Sequence, residues 1–211
     1  MGNDTVDDMF TTEQEAFAHL IRDLTPEQWE LPSLCPGWTV RDVVVHAAFH
    51  SHRGLKETLG STAKYTPLLV ERAHADTIDG LIAWFASPAP ARARRSSINV
   101  CELVIHQQDV RRAVASARDY PEDTLRMCLE HCTTVIGNVF IIARKNRLGH
   151  GLHLVASDIP WSKGNGPEVV GAGEAILMAI AGRAAALADL TGPGVAVLTE
   201  RYGTTATRAA T

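Results

Sequence analysis

Residues 99–109 read Asn-Val-Cys-Glu-Leu-Val-Ile-His-Gln-Gln-Asp and predict a helix that is apolar on most sides. Within it, Glu102 and His106 lie four positions apart, so both side chains point from the same helix face. The apolar flanks draw at least one of them inward, and a buried carboxylate must be paired, hydrogen-bonded or metal-bound. We therefore interpret this turn as one part of a candidate metal site.

The other part lies upstream, where His46 follows Val43, Val44 and Val45 and precedes two alanines. A histidine in such apolar surroundings is hard to keep out of a core. Four-helix bundles build their metal sites from side chains that project inward from facing helices. We expect His46 to meet Glu102 and His106. Two imidazoles and one carboxylate leave a coordination position open, which is typical of catalytic zinc; Ni(II), Fe(II) and Mn(II) also suit these ligands.

Other residues compete for these roles. His50 lies one turn after His46, and His52 is a further candidate ligand. Asp109 could orient the His106 ring, although a pairing with Arg112 fits equally well. We reject a separate Cys/His site at 128–132, because its two cysteines fit the apolar stripe of a helix.

The composition is that of an ordinary globular protein, with 211 residues, 45% hydrophobic residues, 21% charged residues and a net charge of −4. Neither nucleic acid nor a membrane is an expected partner, since the chain has no long basic run and no apolar stretch of about 18 residues. The acidic start lacks the order of a signal peptide, and the four scattered cysteines suggest reduced thiols. We expect a cytoplasmic protein.

Periodicity and capping signals divide the chain into a mainly α part and a small α/β part. Among these signals, Thr39 with Asp42 three residues later predicts a capped start for the helix that carries His46. The fold class that we predict is a four-helix bundle at 1–147 carrying the metal site, followed by a small α/β region at 148–211. The predicted elements are helices at 12–24, 39–59, 76–85, 98–116 and 121–147, a strand at 151–158, a helix at 174–190, and a frayed tail from residue 204.

Three segments together resemble a known family. They are Trp29 with Pro32-Ser33 and CPGWTVRDVVVH at 35–46; ELVIHQQD at 102–109; and LVASD at 154–158 with Trp161, GNGP at 164–167, Gly171, AGR at 181–183 and LTG at 190–192. In these segments the chain resembles the mycothiol-dependent maleylpyruvate isomerases, whose N-terminal half is a DinB-like four-helix bundle. The resemblance extends from about residue 10 to residue 200.

The resemblance implies a ligand set and a cofactor. Carried onto this sequence, the family's metal ligands are His46, Glu102 and His106, zinc is the metal, and the thiol cosubstrate is mycothiol, which actinobacteria make. An arginine of the family's C-terminal domain takes part in catalysis; Arg183 and Arg201 are the candidates here. We expect this chain's C-terminal region to be smaller than that of the full isomerase.

The leading hypothesis is a metal-dependent enzyme that uses a thiol. It would be a mycothiol-dependent S-transferase or a maleylpyruvate-isomerase-like enzyme, in which the metal activates a thiolate toward a small electrophile. The alternatives are a non-enzymatic, stress-related DinB-like metal-binding protein and a metal-dependent hydrolase. A basic loop at 92–95 is a weaker candidate for holding a carboxylate substrate, and a homodimer is left open.

Overall fold

The computed structural model describes residues 3–52, 71, 75–134 and 148–209. Contacts divide the chain into two compact units, Met1–Arg118 and Asp119–Thr211. The boundary that we predicted at residue 147 lies outside the described residues. The helix that follows Pro121 is grouped with the C-terminal unit.

The N-terminal unit is helical throughout its described elements. Its two longest helices begin and end at Asn3–Arg22 and Ser97–Ala113. In chain order the elements are α1 Asn3–Arg22, α2 Pro26–Trp29, α3 Val40–His52, α4 Ile78–Phe85, α5 Ala91–Arg94 and α6 Ser97–Ala113. Helix α1 begins earlier than the predicted Thr12.

Helix α6 is the centre of this unit, because both α1 and α3 pack against it. Nearly all of its residues are buried, polar ones included. Helix α3 is similar: Val43, Val44 and Val45 are all 0% exposed. Three successive buried residues cannot share one face of a helix, so α3 is covered on several sides. This environment surrounds His46 and the Glu102 turn.

The start of α3 is held by a reciprocal cap. The Asp42 carboxylate accepts from the Thr39 backbone N–H at 2.9 Å, and the Asp42 N–H donates to Thr39 Oγ1 at 3.2 Å. This arrangement satisfies two backbone donors at the helix end. The cap that we predicted from this spacing is confirmed, and it fixes where the helix carrying His46 begins.

The C-terminal unit contains three helices, a 3₁₀ turn and a small sheet among its described residues. They are α7 Glu122–Thr133, β1 His153–Ala156, β2 Ser162–Lys163, β3 Glu168–Gly171, α8 Gly173–Ile180, the 3₁₀ turn Ala184–Asp189 and α9 Gly194–Ala209. The strand order is β2-β1-β3. Strand β1 pairs antiparallel with β2 and parallel with β3, so that Leu154 lies beside Lys163 and Val169.

Two glycines let the connection between β2 and β3 pass close to the chain before β1. Gly164 has φ +90°, and a Cβ there would lie 2.1 Å from the Leu152 carbonyl oxygen. Gly166 has φ +131°, and its Cβ would lie 2.2 Å from the Gly151 carbonyl oxygen. Only glycine fits both the backbone conformation and the space. Gly164 and Gly166 of the third motif segment are therefore required by the fold.

Two of the predicted boundaries in the C-terminal unit differ from those in the structure. The helix predicted at 174–190 is interrupted after Ile180, since Gly182 adopts φ +92° and the chain continues as a 3₁₀ turn. The tail predicted to fray from residue 204 continues as helix α9 to Ala209. The second halves of the helices predicted at 39–59 and 121–147 lie outside the described residues. Cys128 and Cys132 are buried in α7 as predicted, and none of the four cysteines, all of which lie in the described ranges, forms a disulfide.

The predicted fold class, a mainly α chain with a small C-terminal α/β region, is confirmed. None of the helices within the described ranges is long and apolar enough to span a bilayer.

Removal of the α3 cap should weaken the N-terminal unit. Replacing Thr39 with alanine leaves the first backbone donors of α3 without this partner, and we expect the free energy of unfolding to fall by about 1 kcal/mol. Urea denaturation measures the change. Thr12→Ala, at an exposed position in α1, is the matched control and should change stability by less than about 0.5 kcal/mol. Equal effects of the two substitutions would contradict the assigned cap.

Candidate metal centre

The structure brings the three predicted donors together. His46 projects from α3, while Glu102 and His106 project from consecutive turns of α6. Glu102 Oε2 lies 3.1 Å from His106 Nε2 and 3.8 Å from His46 Nε2. One donor atom from each of the three residues lies within 4.8 Å of the other two. The expectation that these side chains meet is therefore confirmed; metal binding by them stays a prediction.

The donor set is compatible with a small divalent cation. Bonds of about 2.1 Å around tetrahedral zinc put neighbouring ligand atoms about 3.4 Å apart. The two separations from the Glu102 oxygen, 3.1 and 3.8 Å, lie on either side of that value. The imidazoles are almost fully buried, whereas 17% of the Glu102 side chain is exposed. The cluster thus has one side open to solvent.

His46 is held in the uncharged form that a metal ligand needs. Burial lowers the pKa of His46 to about 3, because its positive form loses hydration that the nearby Glu102 carboxylate does not replace. Its Nδ1 atom is buried and has no hydrogen-bond partner among the described residues. The remaining nitrogen, Nε2, faces Glu102.

His106 and Glu102 form a charged pair. Burial alone would lower the pKa of His106, but hydrogen bonds with Asp109, Cys35 and Glu102 outweigh it and raise that pKa well above its usual value. Burial would raise the pKa of Glu102, yet hydrogen bonds from His106 and His46 hold it well below its usual range. A proton on His106 Nε2 therefore lies between this nitrogen and Glu102 Oε2, and a metal ion bound there would displace the proton.

Asp109 contacts the other nitrogen of His106. Its Oδ2 atom accepts from His106 Nδ1 at 2.9 Å, and the Asp109 side chain is 0% exposed. Contact with the imidazole, one of the two roles that we left open for Asp109, is observed. This bond places a proton on Nδ1 and leaves Nε2 facing Glu102 and His46.

Cys35 is a neighbour of the site that we did not predict as such. Its thiol lies 3.1 Å from Asp109 Oδ2 and 3.9 Å from His106 Nδ1. Cys35, His106 and Asp109 form a second group of metal-ligand type, joined to the first through His106. The only sequence signal was the presence of Cys35 in the CPGWT segment, which lies far from α6 along the chain.

The loop between α2 and α3 carries Cys35 to α6. Ser33 shapes the loop, because its backbone N–H donates to the Trp38 carbonyl and its Oγ accepts from the Cys35 N–H. The Leu34 N–H donates to the Asp109 backbone carbonyl at 3.5 Å. The Trp38 ring also meets the His46 ring edge-on, with centroids 4.9 Å apart. One loop thus contacts both ligand helices.

The other histidines of α3 differ in their placement. The His50 ring lies 4.3 Å from the His46 ring, centroid to centroid, but His50 is in neither group of potential ligands. His52 points elsewhere: its Nδ1 lies 2.7 Å from the Ala48 carbonyl oxygen, and its Nε2 lies 2.9 Å from Ser87 Oγ. The structure therefore separates His52 from the site.

The arginines considered for substrate binding or for catalysis have partners within their own units. Arg94 and Arg95 both lie against the Asp7 carboxylate, at 2.6 and 3.6 Å, so the basic loop at 92–95 is tied to α1. In the C-terminal unit, Arg183 donates to the Ala181 carbonyl at 2.7 Å and Arg201 donates to the Leu148 carbonyl. A catalytic role for either remains a prediction.

Comparison with known proteins supports the resemblance. Residues 10–98 match the family model described as the mycothiol maleylpyruvate isomerase N-terminal domain. This part of the chain is similar to that domain. The match includes His46 and the CPGWT loop and ends just before Glu102 and His106. No protein of curated function matches the sequence significantly.

Solved structures extend the likeness over both units. A crystal structure of the mycothiol-dependent maleylpyruvate isomerase aligns with a TM-score of 0.65 and 15% identity, over 92% of this chain and 93% of that one. A histidine-to-alanine mutant of the same enzyme aligns with a TM-score of 0.63 and 14% identity. At such low identity the likeness shows the shared fold. The expectation of a smaller C-terminal region was wrong, since almost the whole of each chain is aligned.

The opposite pKa shifts of the two histidines predict how stability depends on pH when a chelator keeps the protein free of metal. The pKa of His46, about 3, lies below the unfolded value of about 6.5, so this group makes stability rise with pH between those values. The raised pKa of His106 adds stability that is present below about pH 6.5 and is lost as pH rises through the folded-state value. We expect maximal stability near pH 6.5.

Urea unfolding at pH 5–9 in the presence of EDTA tests this expectation. His106→Gln should abolish the decline of stability above pH 6.5, whereas His19→Gln, which changes an exposed histidine of α1, should retain it. The assigned charge of His106 would be contradicted if wild type and His106→Gln showed the same slope above pH 6.5.

Proposed function

We propose that His46, Glu102 and His106 hold a divalent metal ion, with zinc favoured over nickel, iron or manganese, and that the protein is a thiol-utilising enzyme. The observation that carries this proposal is the convergence of three donors from two packed helices at separations suited to one cation. Three protein ligands leave room for an exogenous one, as in catalytic zinc sites.

The residues of the site have separate tasks in this proposal. His46 contributes an uncharged donor whose protonation is suppressed by burial, and Glu102 contributes the negative charge. Asp109 keeps the His106 ring oriented with Nε2 toward the cation. The buried imidazole side excludes water, while the exposed part of Glu102 marks the side from which a small molecule can enter. A bound zinc ion would supply stabilisation of a thiolate at neutral pH.

The thiol that we propose is mycothiol, because the matching family model and the similar solved structures carry that name. The partner is a small electrophile. Isomerase and S-transferase activities differ in the fate of the thiol: an isomerase recovers it after a double bond has rotated, whereas a transferase leaves its sulfur bonded to the product. We propose a cytoplasmic location, in keeping with four cysteines that form no disulfide.

Metal content is the first test of the proposal. Purified protein should contain one metal ion per chain, and His46→Ala, Glu102→Ala and His106→Ala should each reduce the content to background, because two ligands do not retain the ion. His52→Ala is the matched control, since it removes a histidine of the same helix whose ring contacts Ala48 and Ser87, and it should retain the metal. Elemental analysis with circular dichroism separates ligand loss from unfolding. Stoichiometric metal in all three ligand variants would contradict the proposal.

Thiol turnover is the second test. Metal-loaded protein should accelerate the reaction of mycothiol with monochlorobimane or cis–trans isomerisation of maleylpyruvate, and EDTA or Glu102→Ala should reduce the rate to background. Consumption of mycothiol in proportion to product indicates a transferase; product without thiol consumption indicates an isomerase. If the protein binds metal stoichiometrically yet accelerates neither reaction, a non-enzymatic or hydrolytic role is favoured instead.

A further inference from the structure

The Asp109 carboxylate joins two side chains at the rear of the candidate metal centre. Its Oδ2 atom lies 2.9 Å from His106 Nδ1 and 3.1 Å from Cys35 Sγ. Asp109 and Cys35 come from different elements, α6 and the loop that precedes α3. A carboxylate that is 0% exposed is costly unless its lone pairs are used, and both contacts supply donors to it.

We propose that Asp109 is a positioning residue for the metal ligand His106 and that Cys35 is the thiol donor that keeps the Asp109 carboxylate in place. The inference rests on the proposed function, because it assumes that His106 binds the metal through Nε2. The Nδ1–H···Oδ2 bond selects the tautomer in which Nε2 has a free lone pair, and it fixes the rotation of the ring. Carboxylate–histidine pairs commonly do this behind metal ligands.

The Cys35 thiol donates a hydrogen bond to Asp109, and we assign it this supporting role rather than that of a nucleophile or a metal ligand. Its thiol shares Asp109 Oδ2 with the imidazole N–H, so the acceptor is held from two sides. The loop is anchored independently by the bond from Leu34 N–H to the Asp109 carbonyl. Backbone and side-chain bonds therefore converge on the same residue of α6. Movement of this loop would shift the carboxylate that orients the ligand.

The chemistry of an asparagine at this position provides a sharp test. The Asp109→Asn amide can turn its NH₂ group toward Nδ1, which then becomes an acceptor and forces the proton onto Nε2. That tautomer cannot bind a metal through Nε2. We expect the zinc affinity to fall roughly 10- to 100-fold, which is typical when the outer partner of a ligand is removed. Asp123→Asn, at an exposed position in α7, is the matched control.

Two variants of Cys35 distinguish the effect of its hydrogen bond on zinc affinity from the effect of its sulfur atom. Cys35→Ala removes the donor and should lower the zinc affinity roughly two- to tenfold, the effect of losing one hydrogen bond. Cys35→Ser keeps an O–H donor and should restore most of the affinity. Competition with a chromophoric chelator measures affinity, and thermal unfolding in EDTA verifies that each variant is folded. The ¹⁵N shifts of the His106 ring in the zinc-free protein report which of its two nitrogens carry a proton.

The outcomes distinguish this inference from the proposed function. The inference is supported if Asp109→Asn weakens zinc binding and, in the zinc-free protein, leaves Nε2 as the only protonated ring nitrogen, while Asp123→Asn does neither. It is overturned, with the metal site intact, if Asp109→Asn binds zinc as tightly as wild type. A thiolate-to-cobalt charge-transfer band in the cobalt-loaded protein that vanishes in Cys35→Ser would also overturn it, because Cys35 would then be a ligand. Failure of the wild-type protein to bind zinc would overturn both.

Discussion

The carboxylate of Glu102 is a charge placed among tightly packed helices, and the arrangement around it follows from the need to compensate that charge. Glu102 lies on α6, which is buried by α1 and α3. Two imidazoles meet its Oε2 atom, one from α3 and one from the next turn of α6. Because burial of an unpaired carboxylate costs several kcal/mol, the packing of α3 on α6 and the placement of His46 depend on each other.

The site has two layers with different chemistry. The inner layer holds one uncharged imidazole and one charged histidine–carboxylate pair, so a cation can replace a proton without unfolding its surroundings. The outer layer, Asp109 with Cys35, joins α6 to the loop that leads into α3. The same loop places Trp38 against His46. Both ligand helices are thus positioned by local bonds that begin at one short segment, and the Thr39–Asp42 cap follows it directly.

Periodicity and helix-end chemistry were enough to predict the three candidate donors of the site and the start of the helix that carries His46. The four-residue spacing of Glu102 and His106, the valines before His46 and the Thr39–Asp42 cap are local features, and each was found as expected. The contact between Cys35 and Asp109 could not be read from sequence, because it depends on a loop crossing to a helix some 70 residues away. The distinction between His50 and His52 depends on ring orientation. The break at Gly182 arises from a left-handed residue that helix periodicity does not reveal.

We propose that the cluster on α3 and α6 is an open metal site that accepts an exogenous thiol. X-ray absorption at the zinc edge of loaded protein, recorded with and without mycothiol, tests this proposal most directly. We expect a first shell of only nitrogen and oxygen in the absence of thiol, and one sulfur neighbour at about 2.3 Å once thiol is added. A sulfur neighbour before thiol is added, or an unchanged shell of four nitrogen and oxygen ligands after its addition, would contradict it.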